Sequence, residues 1–479
     1  MTDKMLKFIK IDKQTPSKRG VLERKEDFNE IYKEFIEEKA KEQSSRCSQC
    51  GIPFCQVHCP LSNNIPDWLK LTAEERLKEA YELSQNTNNM PEICGRICPQ
   101  DRLCEGNCVI EQSRHGTVTI GSIEKFITES AWKNGWIKPL KILEEKDQTV
   151  GIIGAGPAGL ACAEQLRKEG YQVTIYDRYD RPGGLLIYGI PNFKLEKFVV
   201  ERRTKHLKDS GINFVQNFEV GKDSSLKDLK NKHDAILIAT GVYKAREIEV
   251  EGSNLGNIFP AMEFLTASNK KGLGDKVKKF EDGTLNTEGK DVVVIGGGDT
   301  AMDCVRTSIR QNAKSVKCLY RRDKENMPGS LREVTNAEEE GVEFVWLSSP
   351  KKFQGINKVE NVITNKIILG EPDDSGRRKP EVQKNSDFSL KADIVIKALG
   401  FDPEDLPKLF GCDELQVTRW GTIKTDFETM ETNIPGVFAA GDIIRGASLV
   451  VWGIKDGRDA AISIKIFLER SELKKEKVV

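Results

Sequence analysis

From about Gln148 onward the chain is punctuated by short apolar runs that end in glycine-rich turns: "TVGIIGAGPAG", "YQVTIYDR", "DAILIATG", "DVVVIGGGDTA", "SVKCLYRR", "ADIVIKALG" and "GVFAAGD". Runs of this length, followed by glycines and then by helix-patterned segments, predict buried parallel strands in βαβ units. Residues 1–145 have a different texture: charged helical stretches ("EDFNEIYKEFIEEKAKEQ", "TAEERLKEAYELSQ") alternate with cysteine-rich loops, and β-branched runs are almost lacking. A small helical domain is expected there, ahead of an α/β region. The polar, turn-rich "EPDDSGRRKPEVQKNSD" predicts a surface loop within the second half of that region. No short-period repeat is seen, but the nucleotide-binding texture occurs twice.

Composition narrows the functional classes. The 479 residues suggest about three domains. Lys+Arg and Asp+Glu balance at 74 each, so no global field draws the protein to nucleic acid or an anionic membrane. The beginning "MTDKMLKFIKIDK" has no apolar core of signal-peptide length, and runs such as "VVVIGGG" are far too short for a membrane span. A cytoplasmic location is expected. In such a reducing setting clustered cysteines point to metal or redox chemistry rather than disulfides. Eight of the 12 cysteines lie in the first 108 residues, whereas Cys162, Cys304, Cys318 and Cys412 are solitary and read as small buried apolar residues.

The first glycine pattern is "VGIIGAGPAGLACAEQLRKEGYQVTIYDR". Gly154, Gly156 and Gly159 follow an apolar strand and open an alanine-rich helix, and Asp177 ends the next strand 23 residues after Gly154. Gly154 permits a tight turn, Gly156 lets a pyrophosphate approach the backbone, and Gly159 lets helix and strand pack closely. The helix N-terminus offers unpaired N–H groups to phosphate, and the Asp177 carboxylate can accept hydrogen bonds from a ribose. In the second pattern, "KDVVVIGGGDTAMDCVRTSIRQNAKSVKCLYRR", Gly296, Gly298 and Ala301 give the G-x-G-x-x-A variant. The next strand runs into Arg321 and Arg322 rather than an acid. Guanidinium groups there suit a 2′-phosphate and favour NADP(H), with Asp323 just beyond them as a complication.

Two such units in tandem resemble the two-dinucleotide-binding-domain flavoproteins, in which an NADPH domain is inserted into an FAD domain. The matching signposts are "ATG" (Ala239–Gly241), "ALGF" (Ala398–Phe401) and "GVFAAGD" (Gly436–Asp442). The resemblance implies an FAD-binding Rossmann-like domain over 146–246 and 401–479, interrupted by an NADPH-binding Rossmann-like domain over 247–400. The expected cofactor contacts are Gly154, Gly156, Pro157, Ala158, Gly159, Asp177, Arg178, Gly184, Leu185, Thr240, Gly241, Gly441 and Asp442 for FAD. For NADPH they are Gly296, Gly298, Asp299, Thr300, Ala301, Arg321 and Arg322, with Ala398, Leu399 and Gly400 at the return. Thioredoxin-reductase-like relatives place a redox-active C-x-x-C beside the flavin; Cys304 stands alone in its helix, so electrons need another outlet.

The N-terminal domain can supply that outlet. "RCSQCGIPFCQVHCP" carries Cys47, Cys50, Cys55 and Cys59; "CGRICPQDRLCEGNC" carries Cys94, Cys98, Cys104 and Cys108. Eight thiolates make two four-ligand sites, and spacing alone suits two [4Fe-4S] clusters or two structural zinc ions equally. Zinc is redox-inert, so the downstream flavin and NADPH motifs favour iron–sulfur. In two-cluster ferredoxins the cysteine before proline ligates the other cluster. By that analogy Cys47, Cys50 and Cys55 share one cluster, completed by a cysteine of the second run, for which Cys108 is the candidate. Cys59, which precedes Pro60, crosses to join Cys98 and Cys104. The fourth ligand of the second cluster is either Cys94 or, as relatives such as dihydropyrimidine dehydrogenase imply, Glu124 in "TIGSIEKFITE".

The order of domains, together with "CSQCGIPFC", "GRICPQDRLCEG", "GIPNFKLEK", "GGGDTAMDC", "YRRDKENMPGS" and "AAGDIIRGASLVVWGI", is similar to the glutamate synthase small-subunit family over nearly the whole chain. The resemblance implies an NADPH-dependent oxidoreductase that feeds electrons to a large (α) subunit. Hydride transfer needs no side-chain acid or base, and only His58, His115, His206 and His233 are present. Two other readings are open at this stage. One is a subunit of an NADPH:ferredoxin transhydrogenase-like enzyme, and the other a zinc-stapled, non-catalytic protein that senses NADPH.

Overall fold

The computed structural model describes residues 4–372 and 378–476. The glycine-ended runs become the strands of two parallel sheets. The first contains β1 (Thr149–Ile153), β2 (Gln172–Tyr176), β3 (Asn213–Val215), β4 (Ala235–Ile238) and β16 (Val437–Ala439), in the order β16-β4-β1-β2-β3. The second contains β6 (Ile258–Pro260), β7 (Asp291–Ile295), β8 (Ser315–Leu319), β9 (Glu343–Val345) and β14 (Ile394–Lys397), in the order β6-β14-β7-β8-β9. Strand order reverses beside β1 and beside β7, so the loop after each opens into the crevice where such sheets take ligands. β4, β7 and β14 are buried at every position, which is why they read as unbroken apolar runs. β5 (Lys244–Ala245) and β15 (Phe401–Asp402) pair antiparallel, so the chain leaves and re-enters the first unit side by side.

The expectation of a loop over residues 371–387 is corrected. β10 (Ser348–Gln354), β11 (Asn361–Pro372), β12 (Arg378–Val382) and β13 (Phe388–Lys391) form an antiparallel sheet, with β12 pairing β11 across that stretch. Residues 373–377 lie outside the described residues. β12 has almost no buried position, so it lacks the apolar alternation that marks a strand in sequence. Cys412 also departs from expectation, being half-exposed, whereas Cys162, Cys304 and Cys318 are buried.

The N-terminal unit is helical. Its helices include α1 (Val21–Glu26), α2 (Glu37–Ser44), α3 (Ile65–Ala73), α4 (Leu77–Thr87), α5 (Pro91–Ile97) and α6 (Ile120–Lys133). Trp68, Leu69, Tyr81, Ile123 and Ile127 form its core, together with Cys47 and Cys108. This unit is not a loose appendage. Leu61, Met90, Ile93 and Cys94 belong to the same apolar cluster as the residues beneath the first sheet. A fully buried ion pair also crosses the boundary, from Glu92 on α5 to Arg203 (2.7 Å) on α8 (Lys197–Asp209).

Candidate functional site

The first crevice opens at the end of β1. Gly154 has φ +112°, and a Cβ there would lie 2.4 Å from the Ala239 carbonyl oxygen. A Cβ on Gly156 would meet nothing within 4 Å, so its backbone faces open space at the start of α7 (Pro157–Lys168). Asp177 ties the turn down: Ala155 N–H donates to Oδ2 (2.6 Å) and Tyr179 N–H to Oδ1 (2.8 Å). Each oxygen keeps a second lone pair for a ribose hydroxyl. Burial raises the carboxyls of Asp177 and Asp442, the latter to about 6. The crevice is lined by Gly154, Gly156, Pro157, Ala158, Asp177, Arg178, Gly184, Leu185, Thr240, Gly241, Gly441 and Asp442. Gly159 instead packs under the turn, its Cβ position 2.0 Å from the Gly154 carbonyl oxygen.

Of the lining residues, Tyr243 and Glu404 were not expected from sequence, and both meet Arg178, which was. Arg178 lies over the Tyr243 ring (4.9 Å) and pairs with Glu404 (2.9 Å), walling one end of the crevice. Leu449, Val450 and Gly453 close the other, at the start of α12 (Val450–Glu476). A Cβ on Gly457 of that helix would lie 2.1 Å from the Ala158 carbonyl oxygen. The four-residue spacing of Gly453 and Gly457 is a sequence signal for this close approach.

At the second glycine turn a Cβ on Gly296 (φ +149°) would lie 2.3 Å from the Ala398 carbonyl oxygen, while Gly298 faces open space. Asp299 and Thr300 begin α10 (Asp299–Arg310) at the surface of the turn, and Ala301 is buried behind them. Leu399 and Gly400 follow Ala398 beside the turn and are half-buried. Residues 327–330 fold across the turn: Gly329 N–H donates to Gly297 O (2.9 Å) and Ser330 N–H to Asp299 Oδ1 (3.0 Å). Arg321 and Arg322 lie just past β8, exposed and half-exposed. Asp323 is engaged in its own turn, its Oδ1 accepting from Asn326 N–H (2.9 Å). The overlying loop is also tied to the helical unit: Arg102 donates to Gly329 O (2.7 Å), and Arg332 on α11 (Leu331–Glu339) to Gln100 Oε1 (2.9 Å).

The eight clustered cysteines divide between two small cavities. Cys47, Cys50, Cys55 and Cys108 line one. Cys59, Cys94, Cys98 and Cys104 line the other, with Glu124, Asn63 and Asn88. Cys59, only four residues from Cys55, therefore faces the cavity of the second run. Burial pushes the Cys47 and Cys59 thiols up to about 11 and Cys55 to about 12, and raises Cys104 as well. Cys98 is raised first by its hydrogen bond with Cys94 and then by burial. Thiols crowded together yet hard to ionise alone suit a bound polycation, which displaces their protons on coordination. Glu124 behaves alike: burial lifts it to about 8, and Oε1 accepts from Asn63 Nδ2 (2.9 Å) and Asn88 Nδ2 (3.1 Å). Beside the first cavity sits Arg46, fully buried, a residue that sequence reasoning passed over. Among the described residues it donates only to the carbonyls of Ile11, His115, Gly116 and Thr117 (2.6–2.9 Å).

The first crevice and the second thiol cavity share a wall. Val450 lines the crevice and Val451, the next residue, lines the thiol cavity, so the first turn of α12 stands between them.

Comparison with known proteins agrees with this arrangement. Residues 24–136 match the family described as dihydropyrimidine dehydrogenase domain II, 4Fe-4S cluster. Residues 148–457 match pyridine nucleotide-disulphide oxidoreductase. The chain is 64% identical to the glutamate synthase [NADPH] small chain of Azospirillum brasilense, over 97% of this chain and 96% of that one. It is 45% identical to the corresponding small chain of Escherichia coli, over 98% and 100%. Among solved structures, Mycobacterium tuberculosis FprA in complex with NADPH shares the fold of the α/β region, with a TM-score of 0.59 and 20% identity over 69% of this chain and 87% of that one. The match to a 4Fe-4S domain favours iron–sulfur over zinc for the cysteine cavities, and the α/β region matches a pyridine-nucleotide-dependent oxidoreductase. The chain belongs to the NADPH-dependent glutamate synthase small-chain family, and is an iron–sulfur flavoprotein oxidoreductase.

Proposed function

We propose that this chain is the electron-input subunit of a two-chain glutamate synthase. It oxidises NADPH at FAD and sends the electrons through two [4Fe-4S] clusters to a large chain that makes glutamate from glutamine and 2-oxoglutarate. The observation that carries this reading is the shared wall at Val450 and Val451, which sets a flavin crevice against a cavity of four thiols and a carboxylate. When bound, FAD supplies the conversion between two-electron and one-electron chemistry that links a nicotinamide to iron–sulfur clusters.

The residues do the rest by holding and orienting. Gly154, Gly156 and the start of α7 cradle the flavin pyrophosphate, Asp177 takes a ribose, and Asp442 with Gly441 takes the far side of the crevice. Gly296, Gly298 and Ala301 cradle NADPH, whose 2′-phosphate falls to Arg321 and Arg322. Cys47, Cys50, Cys55 and Cys108 hold one cluster. Cys59, Cys98, Cys104 and Glu124 hold the other. Glu124 is preferred to Cys94 because its carboxylate is buried without a cation among the described residues and is fixed by two asparagine amides, the arrangement by which outer groups orient a metal ligand.

The test is NADPH oxidation by the purified protein mixed with a candidate large chain. We expect oxidation that depends on both glutamine and 2-oxoglutarate. Oxidation with artificial acceptors but never with that pair would move the assignment to a transhydrogenase-like enzyme.

A further inference from the structure

The two cysteine loops differ in how they meet their surroundings. The second, Cys94–Cys108, carries an ordinary share of charge (Arg96, Asp101, Arg102 and Glu105) and uses it within the chain: Arg102 reaches Gly329 O (2.7 Å), and Glu105 accepts from Gly121 N–H (3.0 Å). From Cys47 to Pro66 there is no Asp, Glu, Lys or Arg in 20 residues, although 31% of the whole chain is charged and about six would be expected. That stretch nevertheless reaches the surface. Ile52 is 66% exposed, Phe54 42% and Val57 62%, all within six residues and interleaved with Cys50 and Cys55, themselves only half-buried. Phe54 also lines the first thiol cavity while staying 42% exposed.

Single exposed apolar side chains need no explanation, but three together on a chargeless loop over a redox site do. The centres of protein interfaces are depleted in charge and enriched in aromatic residues in this way. The second cavity, by contrast, is walled within the chain by Val451 of α12 and by Leu103 of the loop that Arg102 ties to Gly329.

We infer that the Gly51–Val57 loop is the docking surface for the electron-accepting protein. The partner's chemistry follows from the loop: a protein with a one-electron centre beneath an apolar, charge-poor face, which is the large chain. This inference rests on the electron-input reading above and adds where the electrons leave.

The test uses the holoprotein carrying Ile52→Lys and Val57→Glu together, neither of which is an assigned ligand. A comparison variant carries Trp420→Ser and Phe427→Ser, two exposed aromatics of the first α/β unit (67% and 98% exposed). Iron content and NADPH:ferricyanide activity should stay within twofold of wild type for both variants. Sedimentation velocity with the large chain should show Kd raised at least tenfold by the loop variant and unchanged by the comparison variant, with glutamate formation falling in step. If the charged pair loses iron, Ile52→Ser with Val57→Ser gives the same reading at lower contrast. Binding within twofold of wild type, or loss with the Trp420/Phe427 variant instead, overturns the assignment. So does wild-type self-association that the loop variant abolishes, which would give this face to a second copy of the chain. Failure of wild type itself to bind the large chain refutes the electron-input reading, and with it the inference.

Discussion

Arg46 shows how one residue can report on a group it does not ligate. A guanidinium buried with carbonyl oxygens is costly unless negative charge lies nearby, and among the described residues Asp12 and Glu111 act on it only through space, with no carboxylate paired to it. Four thiolates around the adjacent cavity would supply that charge. The cation then favours the more negative, reduced form of whatever they hold. In Arg46→Gln the potential of that cluster should fall by on the order of 40 mV, corresponding to about 1 kcal/mol for one electron. A redox titration followed by EPR measures it; an unchanged potential would leave Arg46 a purely structural tie between segments. The neighbouring choice between Glu124 and Cys94 is settled at the same scale. Cys94→Ser should retain both clusters by iron quantitation and EPR, whereas Glu124→Ala should lose or alter one. Loss of a cluster in Cys94→Ser would make Cys94 the ligand.

At the scale of elements, α12 is the piece that brings the crevice and the thiol cavity together, and its glycines are what allow it to. A methyl at Gly457 would press on the Ala158 carbonyl from 2.1 Å, so helix and turn would have to part. Gly457→Ala should cost about 1–3 kcal/mol in overpacking and leave protein deficient in FAD, read as the ratio of flavin absorbance to protein. Flavin content equal to wild type would show that α12 has slack the packing does not suggest. This helix also marks the boundary of what the chain discloses locally. The strands at β1, β4, β7 and β14 were legible because burial on both faces forces unbroken apolar runs, and the turns were legible because only glycine tolerates their geometry. β12 was not, since a strand exposed on both faces carries no alternation. The proline after Cys59 was the signal for its crossing to the cavity of the second run. Asn63, Asn88 and Arg46 were invisible because ordinary polar residues acquire meaning only when distant segments converge on them.

Across the whole molecule, the helical and α/β units are held together by buried polar pairs that acid can unsettle. His206, on α8, packs edge-on to Trp132 of α6 (6.1 Å between centroids) beside the Arg203–Glu92 pair. Burial lowers it to about 4, helped by Arg203 and Lys168 and opposed by Glu164 and Glu92. His233 is lowered to about 4 as well, again by burial. A base with a depressed folded-state pKa takes up its proton in the unfolded chain first. Stability is therefore complete above about pH 6.5 and falls as pH drops toward 4, by on the order of 1–2 kcal/mol for His206 once screening is allowed for. His206→Gln should shrink the drop in thermal midpoint between pH 7.5 and pH 5. A drop of wild-type size in the variant would place the acid sensitivity elsewhere, His233 being next to examine. The effect has a direction in the assembly too. Because His206 lies on the seam between the helical and α/β units, its protonation would loosen the contact that sets the thiol cavity against the flavin crevice. Acid should therefore slow electron delivery to a protein acceptor at a higher pH than it slows ferricyanide reduction, and parallel losses would mean that the seam stays closed while activity fails.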